Sequence, residues 1–263
     1  MFVWIKRVVL ALLGIIAAAL ILLVVVLRFN YAPAILMYHS VASGAGASNR
    51  LAVSPETFDK QMRFLKTRGF NVIPAEDFAR NIKENRKMPP HTVAITFDDG
   101  YKDNYTEAFP VLERYGLPAT IFIIIGEVGR NDRLSWDEIK SMQSSGLISF
   151  GSHTLRHCIL PEVASAEDLS GELAGSRRIL EEKLGKPVKM FAYPCGFFDK
   201  RSQDAVMKAG YEFAFATHPR QKTGNKDLMA LKRIRISEYS GSSFVFWFQV
   251  SGYYDFIREH RHR

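Results

Sequence analysis

Thr92–Phe97 (TVAITF) runs straight into Asp98-Asp99-Gly100. Six residues rich in β-branched and aromatic side chains, closed by a turn signal, read as a buried strand. Downstream the same pattern returns with helical spacing between its repeats. Tyr105–Tyr115 reads as a helix closed by Gly116, then Ala119–Ile125 (ATIFIII) as a strand. Ser135-Trp136-Asp137-Glu138 has the form of a capping box, serine at the N-cap and glutamate three residues on, and it opens a helix that Gly146 ends. Leu147–Phe150 follows as a strand, Ala166–Leu184 as a long helix capped by Ser165 and stopped by Gly185, and Lys189–Tyr193 as a strand. Lys200–Ala209 is then a helix, Phe213–Ala216 a strand, and Ile234–Ile236 a last strand before an aromatic C-terminal segment. Upstream, Ala34–Tyr38 (AILMY) is a short buried strand ending at His39, Ser54-Pro55 starts a helix, and Asp77–Lys87 is a weaker one. Strands alternating with helices at this spacing imply parallel crossovers and an α/β fold. In such folds chemistry gathers at the C-terminal ends of the strands.

The 263-residue chain also carries a segment of different character at its start. From Val8 to Leu27 there are twenty residues and no charge. As a helix this run spans roughly 30 Å, the thickness of bilayer hydrocarbon, and it exceeds the apolar core of a secretory signal. It is expected to be a single transmembrane helix, with residues 1–30 as the anchor and 31–263 as one domain. Lys6 and Arg7 precede the run and Arg28 follows it, so the N-terminus is expected in the cytoplasm and the large domain outside. Of the formal net charge of +8, three units flank that run and two lie in the C-terminal tail, leaving too little for a nucleic-acid groove. Two cysteines, Cys158 and Cys195, cannot make a disulfide framework for a chain of this length and are expected to be free thiols.

Four strand ends carry polar clusters: His39, Asp98-Asp99-Gly100, the run Ser152-His153-Thr154-Leu155-Arg156-His157, and Pro194-Cys195-Gly196. Adjacent carboxylates repel unless a cation or proton separates them. A metal resolves the conflict, with one aspartate ligating and its neighbour free as a base. His153 and His157 are four apart, which on one helical turn would put both imidazoles on one side. Asp99 with these two makes a two-histidine, one-carboxylate set that suits zinc or another divalent transition metal and leaves coordination positions open. Each piece alone has a plainer reading, a turn for Asp-Asp-Gly and a solvated helix face for the histidine pair. At successive strand ends, metal-assisted hydrolysis accounts for all of them.

Thr96-Phe97-Asp98-Asp99-Gly100, the Ser152–His157 run and Phe191-Ala192-Tyr193-Pro194-Cys195-Gly196 resemble, in order, the motifs of the polysaccharide deacetylase family, carbohydrate esterase family four. The resemblance covers about Ile35 through Ile236 and includes the opening Leu36-Met37-Tyr38-His39. It implies a distorted (β/α) barrel of fewer than eight units and removal of acetyl groups from N-acetylated glycans such as poly-N-acetylglucosamine, peptidoglycan or chitin-like polymers. It makes Asp99, His153 and His157 the metal ligands, zinc first with cobalt, nickel or iron as alternatives. Asp98 becomes the general base, Thr154 a brace between the histidines, and the Tyr193 backbone N–H an oxyanion donor, with Pro194 supporting that turn. The segment Leu231–Glu238 lacks the late histidine of the common family pattern, and no arginine stands before the Pro194 motif. Both departures resemble the biofilm poly-N-acetylglucosamine deacetylase branch, in which the histidine comes from the first strand. His39 is therefore the expected general acid, and Arg233 is expected either to orient a carboxylate or to lie on the surface. Two alternatives stand beside this reading: a catalytically silent glycan-binding protein on the same scaffold, and an O-acetyl esterase.

Overall fold

The computed structural model describes residues 2–29, 31–44, 50–217 and 226–254. The N-terminal run forms one helix, α1 (Phe2–Phe29). Its described apolar side chains, from Trp4 to Val25, are exposed. This helix contributes only some of its side chains to the description, and among the described residues no helix is long and apolar enough to cross a membrane.

The body follows the expected alternation. In chain order it comprises β1 (Ala34–Tyr38), β2 (Ser40–Val41), β3 (Ala52–Val53), α2 (Pro55–Thr67), β4 (Asn71–Val72) and α3 (Ala75–Lys83). Next come β5 (Thr92–Phe97), α4 (Phe109–Tyr115), β6 (Ala119–Ile123), α5 (Trp136–Ser144), β7 (Ile148–Ser152) and α6 (Ala166–Leu184). The last are β8 (Met190–Ala192), α7 (Lys200–Lys208), β9 (Phe213–Ala216), β10 (Leu231–Lys232), β11 (Ile234–Arg235) and α8 (Ser243–Val250). The helix boundaries follow from local chemistry. Ser54 and Ser165 accept backbone N–H groups at their N-caps, Ser135 and Glu138 form the reciprocal capping box, and Gly185 ends α6 in the left-handed region.

All strand pairs of the main sheet are parallel, in the order β10-β9-β8-β7-β6-β5-β1-β11, with β4 beside β5. The two ends of that order, β10 and β11, are separated in the chain by one residue, Arg233. Arg233 donates its N–H to Ala216 O at the end of β9, and Ile236 donates to Met37 O in β1. The segment 231–236 is thus a seam that ties the two edges of the sheet together and makes it barrel-like.

Alternation along each strand splits the buried side chains into two clusters. Ile35, Ala94, Phe122, Met190, Ala192, Phe213, Phe215 and Leu231 form the smaller cluster, inside the curved sheet. Leu36, Tyr38, Ile95, Phe97, Ile121, Phe150, Phe191 and Tyr193 belong to the larger one, which packs against the helices. By that parity His39 continues the inward row of Ile35, and Asp98 that of Ala94 and Thr96.

Several boundaries differ from expectation by a residue or two, and three of the differences have a local cause. The helix expected at Asp77–Lys87 begins at Ala75 and ends at Lys83, before Asn85 turns into the left-handed region at φ 52°. The expected Tyr105–Tyr115 helix opens with a wide turn over Asn104–Ala108, in which Phe109 N–H reaches Asn104 O. Pro110 follows and has no N–H with which to continue a regular ladder. The strand expected at Leu147–Phe150 runs on to Ser152, so it delivers His153 directly at its end.

Candidate metal centre and active site

Asp99, His153 and His157 each offer a ligand atom, and these atoms lie within 4.8 Å of one another. Asp99 Oδ1 stands 3.4 Å from His153 Nε2 and 3.5 Å from His157 Nε2, yet is buried and accepts no hydrogen bond among the described residues. His153 Nδ1 lies 2.8 Å from Ala192 O. A carbonyl only accepts, so the ring proton belongs on Nδ1 and Nε2 turns its lone pair toward the carboxylate. Lone pairs facing one another in a dry site are unfavourable without a cation between them, and an orphaned buried carboxylate oxygen needs a partner. The donor set, with His153 held in place through Ala192 O, therefore fits a divalent transition metal.

The histidines do not share a helical turn. Residues 153–158 form an irregular loop, with left-handed backbone at Thr154 (φ 68°) and His157 (φ 58°). Two kinks in the chain bring the rings together, their centroids 4.8 Å apart. Thr154 Oγ1 accepts the His157 N–H at 2.9 Å, which is the brace between the histidines that the motif led us to expect. Asp99 (φ 71°) is strained in the same way, which turns it out of strand alternation so that it sits beside Asp98 rather than behind it.

Asp98 takes no place in the ligand cluster. Its two carboxylate oxygens accept Arg233 Nη1 and Nη2 at 2.6 and 2.7 Å, and both residues are buried. Of the two roles expected for Arg233, orienting a carboxylate matches this position and a surface role does not. The guanidinium also donates to Thr96 Oγ1 at 3.3 Å and lies over the Phe122 ring. Burial pushes the Asp98 carboxyl up, but attraction to Arg233 and His153 outweighs it and holds the group below the usual carboxylate range. Asp99 is likewise held below that range, burial again opposed by attraction to its histidine neighbours. His153 is pushed down by burial and pulled up more strongly by Asp98 and Asp99, so its net direction is upward. His157 and His39 are both lowered, chiefly by burial.

His39 is buried at the end of β1 and feels the charges of both aspartates. Asn104 donates its amide to His39 O at 2.8 Å, while the ring nitrogen Nδ1 has no hydrogen-bond partner among the described residues. Tyr193 requires a correction. Its backbone N–H donates to Phe215 O at 3.0 Å as part of the sheet, so it has none to give an oxyanion. Its ring belongs to the helix-side core, stacked on Phe198. Two residues on, past the buried Pro194, Cys195 stands in the left-handed region at φ 56°. No partner is recorded for its N–H among the described residues, and its thiol senses the Asp99 charge. The free donor on this turn is therefore that of Cys195. Both cysteines are free thiols, and burial pushes Cys158 up to about 11.

The motifs gave no hint of Glu172, whose side chain is almost fully buried on α6 and binds the histidine loop. A signal was present: an acidic residue on the apolar stripe Leu169, Leu173, Leu180.

Residues 85–214 match the sequence model of the family described as polysaccharide deacetylase. The Bacillus subtilis protein YxkH, provisionally named a polysaccharide deacetylase, is 34% identical over 211 residues, 80% of this chain and 74% of its own length. A Staphylococcus aureus poly-beta-1,6-N-acetyl-D-glucosamine N-deacetylase is 31% identical over 199 residues, covering 71% of this chain and 68% of its own. Among solved structures, the Streptococcus pyogenes deacetylase PplD in complex with acetate superposes with a TM-score of 0.73 at 29% identity, over 80% of this chain and 94% of PplD. IcaB from Ammonifex degensii gives 0.71 at 26% identity, over 84% and 97%.

Proposed function

The chain belongs to the polysaccharide deacetylase family, and from that premise we propose that it hydrolyses the acetamide of N-acetylglucosamine units in a polymer of the poly-β-1,6-N-acetylglucosamine kind. The observation that carries the reading is the division of labour between adjacent carboxylates: Asp99 Oδ1 without a hydrogen bond among the described residues and facing two histidines, Asp98 clamped by Arg233 and left outside that cluster. Zinc is the leading candidate for the ion, with cobalt, nickel and iron as alternatives. Held by Asp99, His153 and His157, a divalent cation supplies Lewis acidity, which polarises the acetamide carbonyl and makes a water more acidic.

The remaining work belongs to the protein. Asp98, kept ionised by Arg233, accepts the proton of the attacking water. The water oxygen forms a bond to the carbonyl carbon, and the Cys195 N–H donates to the carbonyl oxygen as negative charge grows there. The C–N bond then breaks with its electron pair going to nitrogen. The departing amine takes up the proton through His39, which is coupled electrostatically to Asp98. The products are acetate and a free amine on the glycan.

The test is acetate release by the full chain from β-1,6-linked N-acetylglucosamine oligomers, with and without chelator, beside chitin oligomers and peptidoglycan. Release that stops with chelator and returns with zinc is expected. Glycan binding without release under metal-replete conditions would sink the catalytic reading in favour of a silent binding protein. Release only from O-acetylated glycans would make the chain an esterase.

We also propose that α1 anchors the catalytic body, residues 31–263, on the outer side of a membrane. The support is the uncharged run from Val8 to Leu27 within a helix of 28 residues, and the greater positive charge on its N-terminal flank.

A further inference from the structure

The loop between the two ligand histidines is neither helix nor strand, yet none of its N–H groups is left over. His153 donates to Ile123 O at 2.9 Å, Thr154 to Ser152 Oγ at 3.3 Å, and His157 to Thr154 Oγ1 at 2.9 Å. The two in the middle, Leu155 and Arg156, both donate to Glu172 Oε2 at 3.0 Å. Glu172 comes from the middle of α6, where it interrupts an apolar stripe with a side chain only 1% exposed. Its other oxygen accepts Arg156 Nε.

From the opposite side the loop's carbonyls are held by the segment after β6. Ile125 donates to Thr154 O at 3.1 Å and Gly126 to Leu155 O at 2.8 Å. Two kinked residues, Thr154 and His157, therefore hang from a peptide pair gripped on both faces. A buried charge is costly, and a helix stripe has no need of one for packing. What the carboxylate does here is accept two N–H groups that no neighbouring strand reaches.

We propose that Glu172 is a positioning residue that sets the metal affinity of the site by fixing the backbone between His153 and His157. This rests on the reading of Asp99, His153 and His157 as a cation site. The role is one of reach rather than charge. A single amide oxygen at the same distance still accepts both N–H groups, whereas a carboxylate one methylene shorter does not span the gap. The Arg156 contact is incidental, because that side chain is 75% exposed.

The metal-free full chain is titrated with cobalt(II), followed by ligand-field absorption and by competition with a chelator, and its thermal unfolding is recorded alongside. Glu172→Gln and Arg156→Ala are expected to bind cobalt(II) within about three-fold of the parent, while Glu172→Asp and Glu172→Leu weaken it by about 10- to 100-fold, the range for lost outer-shell support. If Glu172→Leu does not fold, the Gln and Asp chains carry the comparison. Undiminished affinity in Glu172→Asp, or Gln and Asp weakened alike, overturns the positioning role. A lowered unfolding midpoint with parental affinity overturns it too, since that is what a purely structural residue would give. A parent chain that takes up no cobalt(II) instead overturns the metal site, and with it the proposed function.

Discussion

Asp98 and Arg233 form a buried pair whose two hydrogen bonds leave neither charge exposed to water. Removing one partner strands the other, at about 3–5 kcal/mol, whereas removing both returns part of that cost. Arg233→Met is therefore expected to destabilise the metal-free chain more than Asp98→Asn/Arg233→Met does, measured by denaturant unfolding. The pH dependence has a definite sign. The folded Asp98 carboxyl lies below its unfolded value near 3.8, so its contribution is complete above that pH and is lost as pH falls through the folded value. Asp98→Asn should flatten this acid limb, keep the metal and abolish acetate release; retained turnover would dismiss Asp98 as the base. At this scale the clustering of Asp99, His153 and His157 was legible because adjacent carboxylates and a histidine pair at successive strand ends point to one place in a parallel sheet. Tyr193 was not, because a motif locates a turn without telling which of its N–H groups the sheet has already taken.

The elements around the site were legible where a single helix or strand carries its own signal, as in the Ser135 capping box and the TVAITF strand. At the seam the strand at Ile234 was legible, but β10 was not, since its two residues are too short a pattern to show alternation. The shape of the histidine loop was hidden as well, because spacing of four fits a helical turn and a twice-kinked loop equally. Contact between elements governs that loop, and Gly126 tests it from the side opposite Glu172. A Cβ there would stand 2.8 Å from Leu155 O, a backbone atom that cannot swing away. Gly126→Ala should destabilise the chain by about 1–3 kcal/mol, as overpacking does, and should also weaken metal binding because the displaced peptide lies between the ligands. Destabilisation with unchanged metal affinity would mean that the loop tolerates movement at Leu155.

For the whole molecule, the question is how a body with a parallel barrel-like core is joined to a surroundings-facing apolar helix. Ile15, Ile16, Leu20, Ile21 and Leu22 are all more than half exposed, with no partner recorded among the described residues. Water is a poor environment for such a surface, since burying each large aliphatic side chain is worth about 1.5–3 kcal/mol. A bilayer removes the surface from water without any protein partner, and it makes charge near the middle of the run expensive. Each arginine at a helix centre disfavours insertion by about 2.5–3.5 kcal/mol on insertion scales. The full chain is expected to sediment with membranes and to resist both high salt and alkaline carbonate, which strip peripheral proteins. Ile16→Arg/Leu20→Arg should release it into the soluble fraction, with acetate release from short soluble oligomers unchanged per molecule, because neither position touches the catalytic residues. A parent chain freed by salt or carbonate alone would mean that α1 lies against the membrane or a partner and does not span it.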